Sequence, residues 1–202
     1  MPRTIRLMLG ALVVARDGVC GLVKSILVDP SVPRVVHLLV EPEHRIGLGR
    51  LVPVELVCAV ERDARDGVDL DCDLAAFATL PLAETSEITS GVGVGYVYVH
   101  SPAPLVREVH EMVPEGEASL QAGAAVVATD GEVGKVAGFD VDPHEHHIVL
   151  VMVNEGRFPW GHRTVALPIS CVAAFNSRIE VKLTTDEVAQ VAVHVGGTGP
   201  KD

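Results

Sequence analysis

Short runs of apolar residues, separated by turn-forming residues, predict strands along most of the chain. The clearest runs are rich in Val, Ile and Leu and are bounded by Asp, Gly or Pro, as is typical of β-strands. In the first part of the chain they cover 19–29, 34–41, 57–62 and 68–71. Helical signals are confined to two short segments, Asp73 before 74–78 and Thr185 as an N-cap before 188–191. The pattern therefore predicts an all-β fold in which each half of the chain ends in a short helix.

The strand pattern occurs twice along the chain. Residues 10–30 align without a gap to residues 123–143, and 12 of the 21 positions are identical. The similarity continues more weakly beyond this stretch in each copy. We therefore expect two copies of one module, connected by a long segment and followed by a flexible tail. The predicted boundaries are 5–77 for the first copy, 78–117 for the connector, 118–190 for the second copy and 191–202 for the tail.

Each copy carries an Asp-Gly hairpin signal, followed by a glycine inside the next strand. The turn signals are Asp17-Gly18 and Asp130-Gly131, and the strand glycines are Gly21 and Gly134. Because Asp-Gly tolerates positive φ, each pair predicts a tight primed turn. A glycine within a strand marks a bulge or a close backbone approach. About six short strands in each copy, with little helix, predict a small closed barrel without unpaired edges.

The connector contains one predicted strand, at 91–99, where Gly, Val and Tyr alternate. Side chains alternate between the two faces of an extended segment, so Tyr96 and Tyr98 are expected on one face. Two roles fit this face. The tyrosines would pin the connector to a barrel, or they would form a β-edge for self-association.

The two modules resemble the PRC-barrel family. The residues that carry the resemblance are Gly10, Asp17, Gly18, Gly21, Asp29, Val40 and Pro53, and again Gly123, Asp130, Gly131, Gly134, Asp142, Val153 and Pro168. Barrels of this family occur in the cytoplasmic part of the photosynthetic reaction-centre H subunit. Another forms the C-terminal domain of a ribosome-maturation factor that binds a small-subunit ribosomal protein. The resemblance implies tandem small β-barrels used as docking modules and brings no catalytic residues with it.

Charge and cysteine usage narrow the function classes. The chain has 16 basic and 27 acidic side chains, a formal net charge of −11, and only 7 aromatic residues. A net-negative surface repels phosphate backbones, so direct nucleic-acid binding is disfavoured. The four cysteines have no CxxC spacing, which favours buried reduced thiols and a cytoplasmic location.

Hydropathy predicts no membrane insertion. The longest apolar runs fall short of the roughly 18 residues that a spanning helix needs. The apolar stretch at 7–15 superficially resembles a signal peptide, but it overlaps the start of the repeat. We therefore expect it to be part of the folded structure.

Two groups of side chains are candidates for chemistry or recognition. The turn at His144, His146 and His147 offers imidazoles that could ligate zinc or nickel, although the first copy has no histidine there. A two-residue insertion in the second copy holds the only tryptophan, and its candidate partner anchors are Arg157, Phe158, Trp160 and Arg163. The alternative for Trp160 is that it covers the open end of its own barrel.

Three functions remain open at this point. The first is a non-enzymatic interaction module without a cofactor, whose partner is an unidentified protein or a second copy of the chain in a homodimer. The second is a metal- or small-ligand-binding protein that uses the histidine turn. The third is an RNA-processing or ribosome-associated factor, by analogy with the maturation factor.

Overall fold

A computed structural model describes residues 4–42, 48–58, 67–90, 105–155 and 163–194. Most of these residues lie in β-strands, which confirms the prediction of a mainly β fold. None of the helices in these ranges is long and apolar enough to cross a bilayer.

The first repeat and the connector are built from short strands around one long hairpin. Their elements are β1 (Ile5–Met8), β2 (Leu12–Ala15), β3 (Gly18–Asp29), β4 (Arg34–Glu41), β5 (Arg50–Pro53), β6 (Gly67–Asp69), α1 (Leu74–Thr79), β7 (Glu84–Ser90) and β8 (Leu105–Glu111). A 3₁₀ turn over Val54–Leu56 follows β5.

The second repeat has the same element order, with two strands, β14 and β16, that have no counterpart among the described strands of the first. Its elements are β9 (Ala118–Gln121), β10 (Ala125–Val127), β11 (Glu132–Val141), β12 (Ile148–Glu155), β13 (Arg163–Pro168), β14 (Val172–Phe175), β15 (Ile179–Val181), α2 (Thr185–Val191) and β16 (Val193–His194). A 3₁₀ turn over Ile169–Cys171 joins β13 to β14.

Each repeat forms a mixed, open sheet. The strand order is β5-β4-β3-β2-β6 in the first and β14-β15-β10-β11-β12-β13-β16 in the second. Neither path closes on itself over the described residues, so the prediction of two closed barrels is not confirmed. The hairpin of β7 and β8 is a separate two-stranded sheet.

The two repeats exchange their first strands. Strand β1 pairs antiparallel with the second half of β11, and β9 pairs antiparallel with the second half of β3. Each exchanged strand makes four residue pairs in its host sheet. The sheet of each repeat is therefore completed by a strand from the other repeat.

A local pseudo-twofold axis relates the repeats where they meet. The backbone N–H of Val35 donates to the carbonyl of His146 at 3.0 Å, and that of Ile148 donates to the carbonyl of Pro33 at 2.9 Å. In the repeat alignment Val35 corresponds to Ile148 and Pro33 corresponds to His146, so the two hydrogen bonds are equivalent. One continuous apolar core contains residues from both repeats, including Ile26 and Leu38 from the first and Phe139 from the second. The two copies thus share one apolar core.

The structure corrects the predicted turns. Neither residue of either Asp-Gly pair has a positive φ, so the primed-turn prediction is wrong. Positive φ occurs instead in glycines such as Gly21, where φ is 150°. A Cβ at Gly21 would lie 2.0 Å from the carbonyl oxygen of Glu41, and one at Gly134 would lie 2.3 Å from that of Asn154. The strand glycines therefore permit the close backbone approach that was expected of them, and both lie at bulges.

The helix starts are partly as predicted. Asp73 caps α1, because its carboxylate accepts a hydrogen bond from the backbone N–H of Ala76 at 2.7 Å. The N-cap of α2 is Thr184 and not Thr185, since Thr184 forms a capping box with Glu187. A side-chain cap of this kind stabilises a helix by about 1 kcal/mol.

The connector and the tail also contain structure that the pattern did not predict. The predicted strand at 91–99 lies outside the described residues, and the segments on either side of it form the hairpin β7–β8. At the start of the predicted tail, β16 pairs with β13. Residues 195–202 lie outside the described ranges.

Candidate docking surface

The histidine turn is held by an aspartate at its start. One carboxylate oxygen of Asp142 accepts hydrogen bonds from the backbone N–H groups of His144 at 2.9 Å and Glu145 at 3.0 Å. The bond from Glu145, followed by that from His144, lowers the pKa of Asp142 below its ordinary value. The first repeat has the same turn without histidine, in which Asp29 accepts from the backbone N–H groups of Ser31 and Val32. The geometry of this turn thus belongs to the repeated fold.

The backbone of the histidine turn joins the two repeats. His147 forms a bridge with Arg34, and the carbonyl of His146 accepts from Val35 as described above. The His147 ring nitrogen lies 3.4 Å from the carboxylate of Glu145, while His144 is exposed. In the described parts of the chain no three His, Cys, Asp or Glu side chains are placed to share an ion. The metal hypothesis gains no support from this arrangement.

One of the six predicted interaction residues lies in the part of the chain that the structure describes. Arg157, Phe158, Trp160, Tyr96 and Tyr98 lie outside the described residues. Arg163 is described: it is the exposed first residue of β13, opposite Glu155.

The aspartates of the predicted turns connect each hairpin to a helix. Asp17 accepts a hydrogen bond from the backbone N–H of Leu74 at 2.8 Å, at the start of α1. Asp130 accepts from the backbone N–H of Thr185 at 2.8 Å and from its hydroxyl at 3.0 Å. These bonds, the backbone one first, lower the pKa of Asp130. The β2–β3 and β10–β11 hairpins are therefore fixed to the rest of their repeats.

An apolar surface lies on the outward side of the β2–β3 hairpin in the first repeat. Leu12, Val19 and Leu22 are 43%, 49% and 44% exposed, respectively. The register places Leu12 opposite Leu22 and Val14 opposite Val19, with a bulge between the two pairs, so all four side chains share one side. We call these four residues the outer hairpin face. Single exposed apolar residues are ordinary, but a contiguous group on a fixed hairpin is typical of a binding surface.

The equivalent positions in the second repeat are polar. Ala125, Glu132 and Lys135 occupy the places of Leu12, Val19 and Leu22. The Lys135 ammonium lies 2.9 Å from the Glu132 carboxylate, as an ion pair across the face. The two repeats share backbone geometry here, so the fold itself does not require exposed leucines.

Acidic side chains border the outer hairpin face. Asp69 on β6 is opposite Val14, and Glu41 on β4 is opposite Leu22. At the turn end, the Arg16 guanidinium donates to the Asp71 carboxylate, and this hydrogen bond raises the pKa of Arg16. Among the described residues this border carries two ion pairs, Arg16 with Asp71 and Lys24 with Glu41, together with Asp69.

The second repeat balances its charges at the corresponding border. Glu180 occupies the place of Asp69, and it accepts hydrogen bonds from Arg178 at 3.0 and 2.8 Å. Glu132, which lies opposite Val127 in the same sheet, is likewise paired with Lys135. At these matched positions, the large exposed apolar side chains therefore belong to the first repeat.

The cysteines are placed as structural thiols. Cys20, Cys72 and Cys171 are buried and Cys58 is partly buried, and none forms a disulfide. Burial raises the pKa of Cys20 to about 11. A nucleophilic cysteine needs the opposite shift, because the thiolate is the reactive form.

The sequence contained a signal for the outer hairpin face. In the repeat alignment, Leu12, Val19 and Leu22 are three of the positions that differ between copies, and each changes from a larger apolar residue to a small or charged one.

Comparison of the chain with protein-family models finds no match, and comparison with curated proteins also finds none.

Proposed function

We propose that this protein is a non-enzymatic docking module and that its outer hairpin face binds a protein partner. The PRC-barrel resemblance, with its two barrel-like repeats and its cytoplasmic setting, belongs to this proposal. The observation that carries it is the difference between repeats: at matched positions of one fold, only the first repeat exposes large apolar side chains. Exposed apolar area is costly in water. The second repeat shows that these positions tolerate polar residues, so the apolar residues in the first repeat favour a binding surface there.

The expected energetics are those of a small interface centre. Truncating a well-packed apolar contact at such a centre costs about 1–2 kcal/mol, and 1.4 kcal/mol is about a tenfold change in affinity. Replacing three contacts together should therefore abolish detectable binding by a partner of micromolar affinity.

The test uses residues that the second repeat already accommodates. The face variant is Leu12→Ala/Val19→Glu/Leu22→Lys, which introduces the residues of the second repeat at the same positions. The matched control is Val32→Glu, an exposed turn residue on the same repeat whose counterpart is Glu145. Both variants should fold as the wild type does, which circular dichroism and thermal unfolding will check.

Tagged wild type, face variant and control are expressed at native level in the source cells, and the retained proteins are quantified by mass spectrometry. We expect one stoichiometric partner with the wild type and the control, and its loss with the face variant. Equal retention by all three proteins would contradict the proposed docking surface.

A further inference from the structure

An exposed glycine lies directly beside the outer hairpin face. Strand β6 pairs parallel with β2, and the register places Gly67 opposite Leu12. The next pair along the two strands, Val13 with Val68, is buried in the core. Because side chains alternate along a strand, Gly67 belongs to the outward side of the sheet, next to the exposed Leu12 side chain.

Neither the backbone nor the packing requires a glycine at this position. Gly67 is not among the glycines with positive φ. A Cβ at Gly67 would lie 3.4 Å from the carbonyl oxygen of Leu12, at the short end of ordinary van der Waals contact, and within 4 Å of no other atom of the described residues. A glycine inside a strand weakens it and is typical of a place where a ligand or another chain approaches the backbone closely.

The second repeat has an arginine in the same place. Strand β15 pairs with β10 as β6 pairs with β2, so Arg178 corresponds to Gly67. The Arg178 guanidinium donates to the Glu180 carboxylate, and the side chain therefore runs along the outer side of β15. In the first repeat, the described residues leave the equivalent backbone exposed. We call this exposed backbone at Gly67, together with the adjoining Leu12 side chain, the Gly67 ledge.

The outer hairpin face by itself is small for an interface. Leu12, Val19 and Leu22 are each less than half exposed, whereas a specific complex covers about 800 Å² on each partner. Affinity therefore depends on a partner group that buries a large area at one point. An aromatic side chain buries about 150–250 Å² and has few torsions to restrict. A flat ring can also lie directly on strand backbone where there is no Cβ.

We infer, on the basis of the proposed docking function, that the Gly67 ledge receives an aromatic side chain of the partner protein. The ring lies over the β6 backbone with one edge against Leu12, and further apolar side chains of the partner cover Val19 and Leu22. Strand β2 is paired on both sides, by β3 and by β6. The partner therefore contacts this surface through side chains, because β2 has no free edge to which a strand could be added.

The test uses substitutions at the ledge that the fold accommodates. Gly67→Arg introduces the residue of the second repeat and covers the ledge, whereas Gly67→Ala adds a single methyl group. The matched control is Arg178→Gly, which exposes the equivalent backbone in the second repeat. Thermal unfolding checks the fold: the midpoints of the two Gly67 variants should be no lower than that of the wild type, because glycine is unfavourable within a strand.

The probe is a library of random peptides displayed on phage. Peptides are selected on the full-length wild-type protein after removal of those that bind the face variant. Enriched peptides are synthesised, and their affinities for each protein are measured by fluorescence anisotropy. We expect peptides that contain Trp, Tyr or Phe, with affinity about tenfold or more lower for Gly67→Arg, less reduced for Gly67→Ala and unchanged for Arg178→Gly.

A change in the peptide separates the ring from the rest of the interface. Replacing the aromatic residue of the peptide by leucine should weaken binding to the wild type about as much as Gly67→Arg does. The leucine peptide should then bind the wild type and Gly67→Arg about equally, because both changes remove the same contact.

The contrary outcomes are distinguishable. Peptides that need the outer hairpin face but bind Gly67→Arg as well as the wild type would overturn the inference about the ledge and leave the docking function standing, as would enriched peptides without an aromatic residue. Failure to enrich any peptide that distinguishes the wild type from the face variant would count against the docking function and the inference that rests on it. A dimer in analytical ultracentrifugation that dissociates in Gly67→Arg would show that a second copy covers the ledge, and would overturn the inference of a different partner protein.

Discussion

The exchanged strand β1 contributes an ion pair with a buried carboxylate on β11. Arg6 donates to both oxygens of Asp140, from Nε at 2.8 Å and from Nη2 at 2.9 Å. Asp140 is only 3% exposed. In the other exchange, the equivalent pair is Ser119 opposite Leu27, which contains no charge. The same pair of positions thus holds two charged residues in one exchange and a serine opposite a leucine in the other.

Replacing Arg6 by Ser should destabilise the protein by about 3 kcal/mol, because it leaves a buried carboxylate without its bidentate partner. We take the lower end of the usual range because the Arg6 side chain is 44% exposed. Asp140→Leu should cost about 1 kcal/mol, since Arg6 can then turn to water. The double variant, Arg6→Ser/Asp140→Leu, reproduces the residues of the other exchange and should lie within about 1 kcal/mol of the wild type.

Equilibrium urea unfolding of the four proteins measures these differences, provided that the m-value is unchanged. The coupling between the two positions is obtained as a double-mutant cycle. The reasoning is refuted if Arg6→Ser costs less than about 1 kcal/mol, or if the double variant is as unstable as Arg6→Ser alone.

Three further predictions concern the turns and the thiols. Gly134→Ala should lower the free energy of unfolding in urea by more than about 2 kcal/mol, because its Cβ would meet a backbone carbonyl. The control Gly131→Ala should stay within about 0.5 kcal/mol of the wild type, because its Cβ would have its nearest neighbour at 3.9 Å. Equal losses in the two variants would contradict this. The pKa of Asp130 is lowered on folding, so its stabilising effect is present above the ordinary value of about 4 and is lost as the pH falls through the lowered value. The Asp130→Asn protein should therefore lose less stability than the wild type between about pH 5 and pH 2, and parallel pH profiles would argue against it. Cys20 should react with Ellman's reagent at pH 8 far more slowly in the native than in the urea-unfolded protein, because burial raises its pKa to about 11; fast native reaction would show that the thiol is accessible.

The strand exchange is the feature that local pattern could not predict. Strand β1 pairs with the second half of β11, and β9 pairs with the second half of β3. These two half-strands are equivalent parts of the two repeats. Pairing within a repeat and pairing between repeats therefore satisfy the same alternation of buried and exposed positions. Gly138 permits the close approach of the exchanged strand, since a Cβ there would lie 2.2 Å from the carbonyl oxygen of Leu7.

Other features were within reach of the sequence. The capping-box spacing of a Thr followed three residues later by Glu selects Thr184 over Thr185, and the structure agrees. The repeat alignment contains the residues of the outer hairpin face, but their common orientation depends on the bulge between Val13 and Val14. A bulge shifts the alternation by one residue, so alternation alone would have placed one cross-strand pair on the wrong side.

The most direct test of the central claim is amide NMR mapping of the retained protein partner on the full-length protein. If the first repeat carries the docking surface, chemical-shift changes will concentrate at residues 12, 14, 19 and 22 and at the bordering Glu41 and Asp69. The equivalent positions of the second repeat, 125, 127, 132 and 135, should not move. Changes centred on the histidine turn at 144–147, or spread equally over both hairpins, would contradict the account.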